Sequence, residues 1–353
     1  MIFVTGSTGF IGSQFIMDCL RKRIKVKALV RNVRKAEILF GKPNDNLEFV
    51  EGDLLNPESY KKELNDCTAV VHAGAKVGYW GNREEFLLTN ALSTVRLAYY
   101  VKKTGIRRFI YLSSQAAVRT IKWNPLNKIN KYAPHTHYPS EKEFGRYYYG
   151  LSKKLAEKSL LTLNDDNFRV IILRPHIVWG AGDTTLSFML TRLSRKPGFM
   201  MVTGKNINCA SSHIDTVIHY IHRALQCNGE AGHIFHILDD SKMTVDDWIE
   251  GLLTSLRLRK PKFSIPYNLA YMLGFVSEVI SRVIRKIKSD FYPRLDRFIV
   301  DGLGREMKGD MSQTIKVFGR PPILDINKAR YNVAEWYSTK GRYLEKSGLF
   351  NHH

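Results

Sequence analysis

In the stretch YYYGLSKK (147–154), Tyr149 stands four residues before Lys153, and elsewhere Tyr99 stands four before Lys103. A four-residue step along a helix sets two side chains on one face, a turn apart. A lysine ammonium there favours the phenolate and draws the phenol below its free pKa of about 10. That makes tyrosine a usable acid or base near neutral pH. Spacing alone does not choose between the two pairs. Topology does, because ligands of a parallel sheet gather where strands end and the following helices begin. Tyr99 and Lys103 close their expected helix, just before the strand RFIYLS (108–113), whereas Tyr149 and Lys153 stand near the start of theirs. Tyr147 and Tyr148 have no lysine four residues on. Tyr149 is therefore the candidate acid/base. In FIYLSSQAAV (109–118), Ser113 and Ser114 end the strand, where a hydroxyl could hold a carbonyl oxygen beside the phenol.

A second cluster lies at the amino end. The strand IFVT runs into TGSTGFIG, with Gly6, Gly9 and Gly12 at three-residue spacing around Thr8, Phe10 and Ile11. The first glycine allows a tight turn, the second admits a pyrophosphate to the backbone, and the third lets helix pack on strand. Directly after a first strand, this pattern points to a dinucleotide. At the end of the second strand, in ALVRN, Arg31 stands where a carboxylate would grip the ribose of NAD. An arginine can pair with a 2′-phosphate instead, so NADP(H) is favoured, with NAD(H) the alternative. Asp53 and Leu54 in EGDL are placed to meet the adenine, and Ala73, Gly74 and Ala75 in VVHAGA leave room for the cofactor. His72 reads equally well as a satisfied core histidine.

These groups need a frame. Short strand-like runs at 2–5, 25–30, 47–51, 69–73, 108–113 and 169–174 alternate with helical stretches near 10–22, 57–65, 84–104 and 146–163. Strands apolar on both faces, alternating with helices, predict an α/β fold: a doubly wound parallel (Rossmann) sheet. The expected division is a dinucleotide-binding domain over 1–178, to which the chain returns at about 211–240. Residues 179–210 and 241–353 then form a smaller, mainly helical C-terminal substrate lobe.

The bulk properties narrow the class. A 44% hydrophobic share over 353 residues supports a full core. Four cysteines, Cys19, Cys67, Cys209 and Cys227, lie far apart, which suits a reducing compartment and excludes a zinc-type spacing. No metal is expected. The opening MIFVTG reads as a strand and its turn, so no leader is expected, and no run of eighteen apolar residues suggests a span. A cytoplasmic protein is the expectation. The net charge of +21 suits an anionic cofactor, substrate or membrane surface, and no nucleic-acid motif accompanies it.

Taken in order, TGSTGFIG, EGDL, VVHAGA, Asn90 of LLTNALSTVRLAYY, YLSS, YGLSKKLAEK, LRPHIVWGAGD and HIDTV resemble the extended short-chain dehydrogenase/reductase family. The resemblance is close over about 1–240 and looser beyond. It is strongest to the 3β-hydroxysteroid dehydrogenase branch, which includes 2-alkyl-3-oxoalkanoate reductases, through AKVGYWG (75–81) and HIVWGAGD (176–183). It implies Ser114, Tyr149 and Lys153 as the catalytic set, with Lys153 also on the nicotinamide ribose. Asn90 would support the neighbouring helix, and Pro175 to Ile177 would lie against the nicotinamide. Gly74 departs from the alanine pair more common there.

The implied reaction is hydride transfer between nicotinamide and a carbonyl or 3-hydroxy carbon of a hydrophobic, lipid- or steroid-like substrate. Tyr79, Trp80, His176 and Trp179 are the expected pocket aromatics, beside Ser114. The alternative is a nucleotide-sugar epimerase or dehydratase holding NAD tightly. In 265–290, Leu269, Met272, Leu273, Val276, Val279, Ile280, Val283, Ile284 and Ile287 recur at helical spacing. Ten basic residues face three acidic ones from Arg257 to Arg297. Such a helix either packs into its own lobe or rests peripherally on an anionic membrane. A homodimer is left open.

Overall fold

The computed structural model describes residues 1–78, 81–118, 129–130, 138, 140–145, 147–197, 199–203, 207–227, 229, 234–239, 243–285, 295–304, 306–307 and 309–347. Seven strands form the central sheet: β1 (Ile2–Thr5), β2 (Val26–Val30), β3 (Leu47–Glu51), β4 (Ala69–His72), β5 (Arg108–Leu112), β6 (Arg169–Pro175) and β7 (Ile234–Ile237). Their order is β7-β6-β5-β4-β1-β2-β3, and every neighbouring pair runs parallel. The order reverses between β1 and β4, where Thr5 pairs with His72. In an open α/β sheet that reversal opens the crevice that takes a ligand.

Most of the strands form where branched and aromatic residues leave no polar face, while β3 at the sheet edge exposes Glu48 and Glu51. All five residues of β2 are buried, as are the four of β4. Such strands need cover on both sides, and two apolar clusters supply it. One contains Phe15 and Ile16 of α1 (Phe10–Arg21). The other contains Leu97 and Val101 of α3 (Ser93–Lys103) and Leu160 of α4 (Tyr148–Leu163). Between β2 and β3, α2 (Val33–Phe40) begins at Asn32, whose side chain accepts a bond from Lys35 N. The expected helix at 57–65 is a 3₁₀ helix, Pro57–Leu64. The stretch before α3 contains one π-type segment, Leu87–Leu92, which carries Asn90. After β6, α5 (Ile214–Gln226) packs against the sheet on the side of α1.

A third apolar cluster gathers Trp179, Phe188 and Trp248 with Val333 of the helix Ile326–Trp336. A fourth joins Val202 and Val300 to Ala270 and Tyr271. The strand Phe263–Pro266 pairs in parallel with Met200–Thr203 and runs directly into a helix at Tyr267–Ile284. That helix does not pack its apolar stripe inward. Met272, Val276, Ile280 and Val283 are exposed, and Ala270, Gly274, Glu278 and Ser281 are buried. Ile287 lies outside the described residues.

Candidate active site

The turn after β1 is built from close backbone approaches. Gly6 has φ +66°, and a Cβ on it would stand 2.5 Å from Gly74 N at the exit of β4. A Cβ on Gly12 would stand 2.3 Å from Gly6 O, so α1 packs directly on the turn. Gly9 is the N-cap of α1; it has no capping side chain, and the first turn carries no acidic residue. The first amides of a helix lack intrahelical partners and, with the helix dipole, favour an anion. This cradle fits a dinucleotide pyrophosphate. Thr8, Phe10 and Ile11 line the same turn.

Arg31 and Asp53 meet at the ends of β2 and β3, with Nη1 3.7 Å from Oδ2 and the arginine side chain 79% exposed. An exposed pair of this kind holds its partners weakly, so the guanidinium can turn to another anion. Lys35 stands one turn into α2, its pKa lowered first by burial and then by the charge of Arg31. The side chain of Asp53 also accepts a bond from Leu55 N at 2.8 Å. Leu54 reaches Gly74, where an added Cβ would stand 2.5 Å from Leu54 Cδ1. The atom in the way is the end of a flexible leucine side chain, so alanine at 74 would need a turn of Leu54. Ala73 and Ala75 flank Gly74.

His72 is a core histidine. Thr94 Oγ1 donates to Asn90 O at 2.8 Å and so accepts from His72 Nε2, which leaves Nδ1 to accept from Thr5 Oγ1 at 2.6 Å. Burial, and then the nearby Lys153 charge, pull its pKa down to about 3, so the ring stays neutral. Asn90 is fully buried and holds the segment after β4 to α4. It accepts from Lys76 N at 2.7 Å and donates to Lys76 O and to Ser152 Oγ.

Helix α4, which carries Tyr149 and Lys153, meets the end of β5 through Gly150. A Cβ there would stand 2.4 Å from Ala116 O, so only glycine lets α4 approach the turn Gln115–Ala117 this closely. Ser114 caps that turn, its Oγ accepting from Ala116 N at 3.2 Å. A serine hydroxyl keeps its own hydrogen to donate. Ser113 points elsewhere: it is 4% exposed and bonds Glu157 Oε1 at 2.5 Å. Glu157 also pairs with Arg174 through Nε at 2.8 Å and Nη2 at 2.5 Å, both side chains fully buried. This network fixes α4 against β5 and β6, and no local pattern points to it beyond the residue types.

Lys153 is 2% exposed and donates to Leu112 O, the last residue of β5, at 2.7 Å. Its Nζ lies 4.6 Å from the Tyr111 ring centroid and 5.9 Å from that of Tyr149. Burial lowers its pKa to about 7, with Glu157 acting in the opposite direction. An ammonium has three donors, so the bond to Leu112 does not exhaust it. Tyr149 packs edge-on against Phe86, with ring centroids 6.4 Å apart. Tyr99 and Lys103 do pair, at 4.4 Å from amine to ring centroid, but at the far end of α3, just before β5 begins. Tyr138 also stands four residues before Lys142, yet it precedes the helix Glu141–Phe144 and lies 5.3 Å from the Arg174 guanidinium.

Two of the expected pocket aromatics are buried. Trp179 is 1% exposed, donates to Asp239 Oδ2 at 3.1 Å, and packs on His213 and Trp248. Asp239 also accepts from His213 N, Ser211 Oγ and Thr216 Oγ1, so the indole is held in a packed interior. His176 is 5% exposed and turns toward His236, 5.8 Å between centroids. Its backbone N–H donates to Ser212 Oγ at 2.8 Å. Pro175 is buried at the end of β6, and Ile177 is half-buried beyond it. Tyr79 and Trp80 lie outside the described residues. Among the described residues no cluster suits a metal ion, and no helix is long and apolar enough to cross a membrane.

The sequence model of the NAD dependent epimerase/dehydratase family matches residues 2–237. Over 345 residues the chain is 26% identical to the 2-alkyl-3-oxoalkanoate reductase of Shewanella oneidensis, covering 92% of this chain and 83% of that one. It is 25% identical over 333 residues to the sterol-4-alpha-carboxylate 3-dehydrogenase, decarboxylating, of Mus musculus, with 92% and 88% covered. Among solved structures, the dTDP-glucose 4,6-dehydratase DesIV of Streptomyces venezuelae, with NAD bound, superposes at TM-score 0.70 and 19% identity. The match covers 97% of this chain and 98% of that one, a likeness of fold. With the family match running from β1 through β7, well over half its length, the chain belongs to the NAD dependent epimerase/dehydratase family and is an oxidoreductase within it.

Proposed function

We propose that the protein interconverts a 3-oxo and a 3-hydroxy group on a hydrophobic acid, using NADP(H). The reading rests above all on the seat of Lys153: its amine bonds the end of β5 while its ring neighbour Tyr149 opens the helix that Gly150 sets against the Ser114 turn. That gives one phenol, one amine and one hydroxyl at the sheet edge that also carries the glycine turn. Supporting the substrate class, the two curated relatives are named for substrates bearing a carboxylate near an oxygenated carbon 3 on an alkyl or sterol skeleton. A strongly basic chain suits such an anion.

In the reducing direction Ser114 donates to the substrate carbonyl oxygen and fixes its orientation. Tyr149 donates a second bond to that oxygen and gives up its proton as alkoxide charge develops. Lys153, buried behind the phenol, stabilises the phenolate that results. Gly6, Gly9 and Gly12 would hold the pyrophosphate, Arg31 with Lys35 the 2′-phosphate, and Asp53 the adenine end. When bound, the nicotinamide supplies or accepts the hydride. Asn90 keeps the segment after β4 and the start of α4 in register through Lys76 and Ser152.

The test is a fluorescence titration with NADPH and NADH, followed by 2-alkyl-3-oxo acids, their esters, and nucleotide sugars as substrates. Oxidation of NADPH by the acids, and weaker oxidation by the esters, is expected. Protein that purifies with NAD and converts a nucleotide sugar without net cofactor consumption would overturn the reading in favour of an epimerase or dehydratase.

A further inference from the structure

The helix Tyr267–Ile284, now α6, is amphipathic in the reverse sense. Met272, Leu273, Val276, Val279, Ile280 and Val283 are between 39% and 60% exposed. At 100° per residue these positions fall within an arc of about 120°. The opposite face, carrying Gly274, Glu278 and Ser281, is the buried one. This orientation is fixed, not slack. Glu278 is 4% exposed and accepts from Arg297 Nη2 at 2.7 Å, Nε at 3.1 Å and backbone N at 2.9 Å. A Cβ at Gly274 would stand 3.0 Å from Arg297 N, so the small residue is what allows that close backbone approach. Rolling the apolar face inward would break the ion pair and force bulk into this contact.

We propose that α6 lies in the interface of an anionic lipid bilayer, with its apolar arc buried among the acyl chains and its axis along the surface. Four observations favour that occupant. From Arg257 to Arg285 the chain carries six cations and one carboxylate, and that carboxylate, Glu278, is already paired inside. Exposed cations flank the apolar arc: Arg257, Arg259 and Lys262 before it, with Lys260 also reaching Glu250 at 3.3 Å, and Arg282 at its end. A helix of 18 residues extends about 27 Å along its axis, and no described helix is apolar enough to span. Phe263, 71% exposed, and its strand partner Met200, 45% exposed, add apolar surface where the chain enters the helix.

A second copy of the chain fits less well. Both ends of α6 are basic, so parallel and antiparallel pairing alike would set cation against cation. An anionic headgroup layer instead neutralises them, while the arc enters the acyl boundary. A hydrophobic substrate could then be taken from the membrane, a consequence that rests on the function proposed above; the binding itself does not.

Sedimentation with vesicles, without cofactor or substrate, keeps the two apart. The full-length protein should pellet with equimolar phosphatidylglycerol and phosphatidylcholine, less with phosphatidylcholine alone, and less at high salt. The double variant V276E/I280E, altered only at exposed positions, should lose about tenfold or more in partitioning while keeping its thermal transition. R259Q/K262Q, both exposed in the segment leading into the helix, should lose about fivefold per charge on anionic vesicles. Wild-type protein that stays in the supernatant, or a V276E/I280E variant that pellets equally, overturns the proposal. So does wild type that is dimeric without lipid while V276E/I280E is monomeric, which would give the face to a second copy.

Discussion

Replacing Lys153 with methionine removes an amine from the interior while nearly conserving its length, and the effect on stability should change sign with pH. An unfolded lysine holds its proton to about 10.5, whereas burial lowers the folded value to about 7. Between those values the unfolded chain binds more protons, so the wild-type protein should gain stability as pH rises through that window. At about 1.4 kcal/mol for each tenfold, the buried amine costs about 4 kcal/mol at neutral pH. Methionine removes that cost but leaves Leu112 O without the bond it receives at 2.7 Å, a loss of about 1–3 kcal/mol. The variant should therefore be more stable than wild type by about 2 kcal/mol near pH 6.5. Above pH 10.5 only the lost hydrogen bond remains, and the variant should be the less stable protein. Urea unfolding at several pH values, cofactor absent, measures both. A stability difference that does not change with pH would show that the amine is solvated and that the geometry around Leu112 is not the one described. The same variant should be inactive, so stability gained and activity lost at one position would mark a site that strains the fold.

Two further substitutions test other parts of the site. Arg31→Glu should reverse the preference for NADPH over NADH, because a carboxylate repels the 2′-phosphate and bonds the free ribose; an unchanged ratio of the two dissociation constants would remove Arg31 from cofactor selection. Gly150→Ala puts a methyl 2.4 Å from Ala116 O, which should displace α4 from Ser114 at a cost of about 1–3 kcal/mol. Its kcat should fall at least tenfold while NADPH binding is little changed, and wild-type kcat would show that the close approach is not needed.

The central sheet was legible because its inner strands are apolar on both faces and its turns carry glycine where the backbone needs it. Gly6 and Gly12 announce themselves by spacing, and the structure gives the reason in the contacts with Gly74 N and Gly6 O. The choice of Tyr149 over Tyr99 followed from where helices start in a parallel sheet, and both pairs stand at the helix ends expected. Gly150 was less visible. Its use depends on a carbonyl thirty-four residues away in the chain, at Ala116, and no local pattern encodes that meeting. Trp179 shows the same limit from the other side. A tryptophan after a strand suits a pocket wall or a core, and the deciding partner, Asp239, lies sixty residues further on.

The helix Tyr267–Ile284 marks a different boundary. Periodicity reports that a helix has two faces but not which one turns inward. The usual rule buries the apolar face, and here Glu278 and Gly274 reverse it through Arg297. Composition could hint at this outcome only through the basic residues at both ends.

In the proposed reaction the Tyr149 hydroxyl delivers the proton at a carbonyl held by Ser114. Tyr149→Phe removes that hydroxyl and leaves the ring against Phe86. Rapid-mixing of this variant with NADPH and a 2-alkyl-3-oxo acid should show cofactor binding at the wild-type dissociation constant and a rate of NADPH oxidation lower by at least about a hundredfold. Oxidation at the wild-type rate would mean that the proton comes from another group.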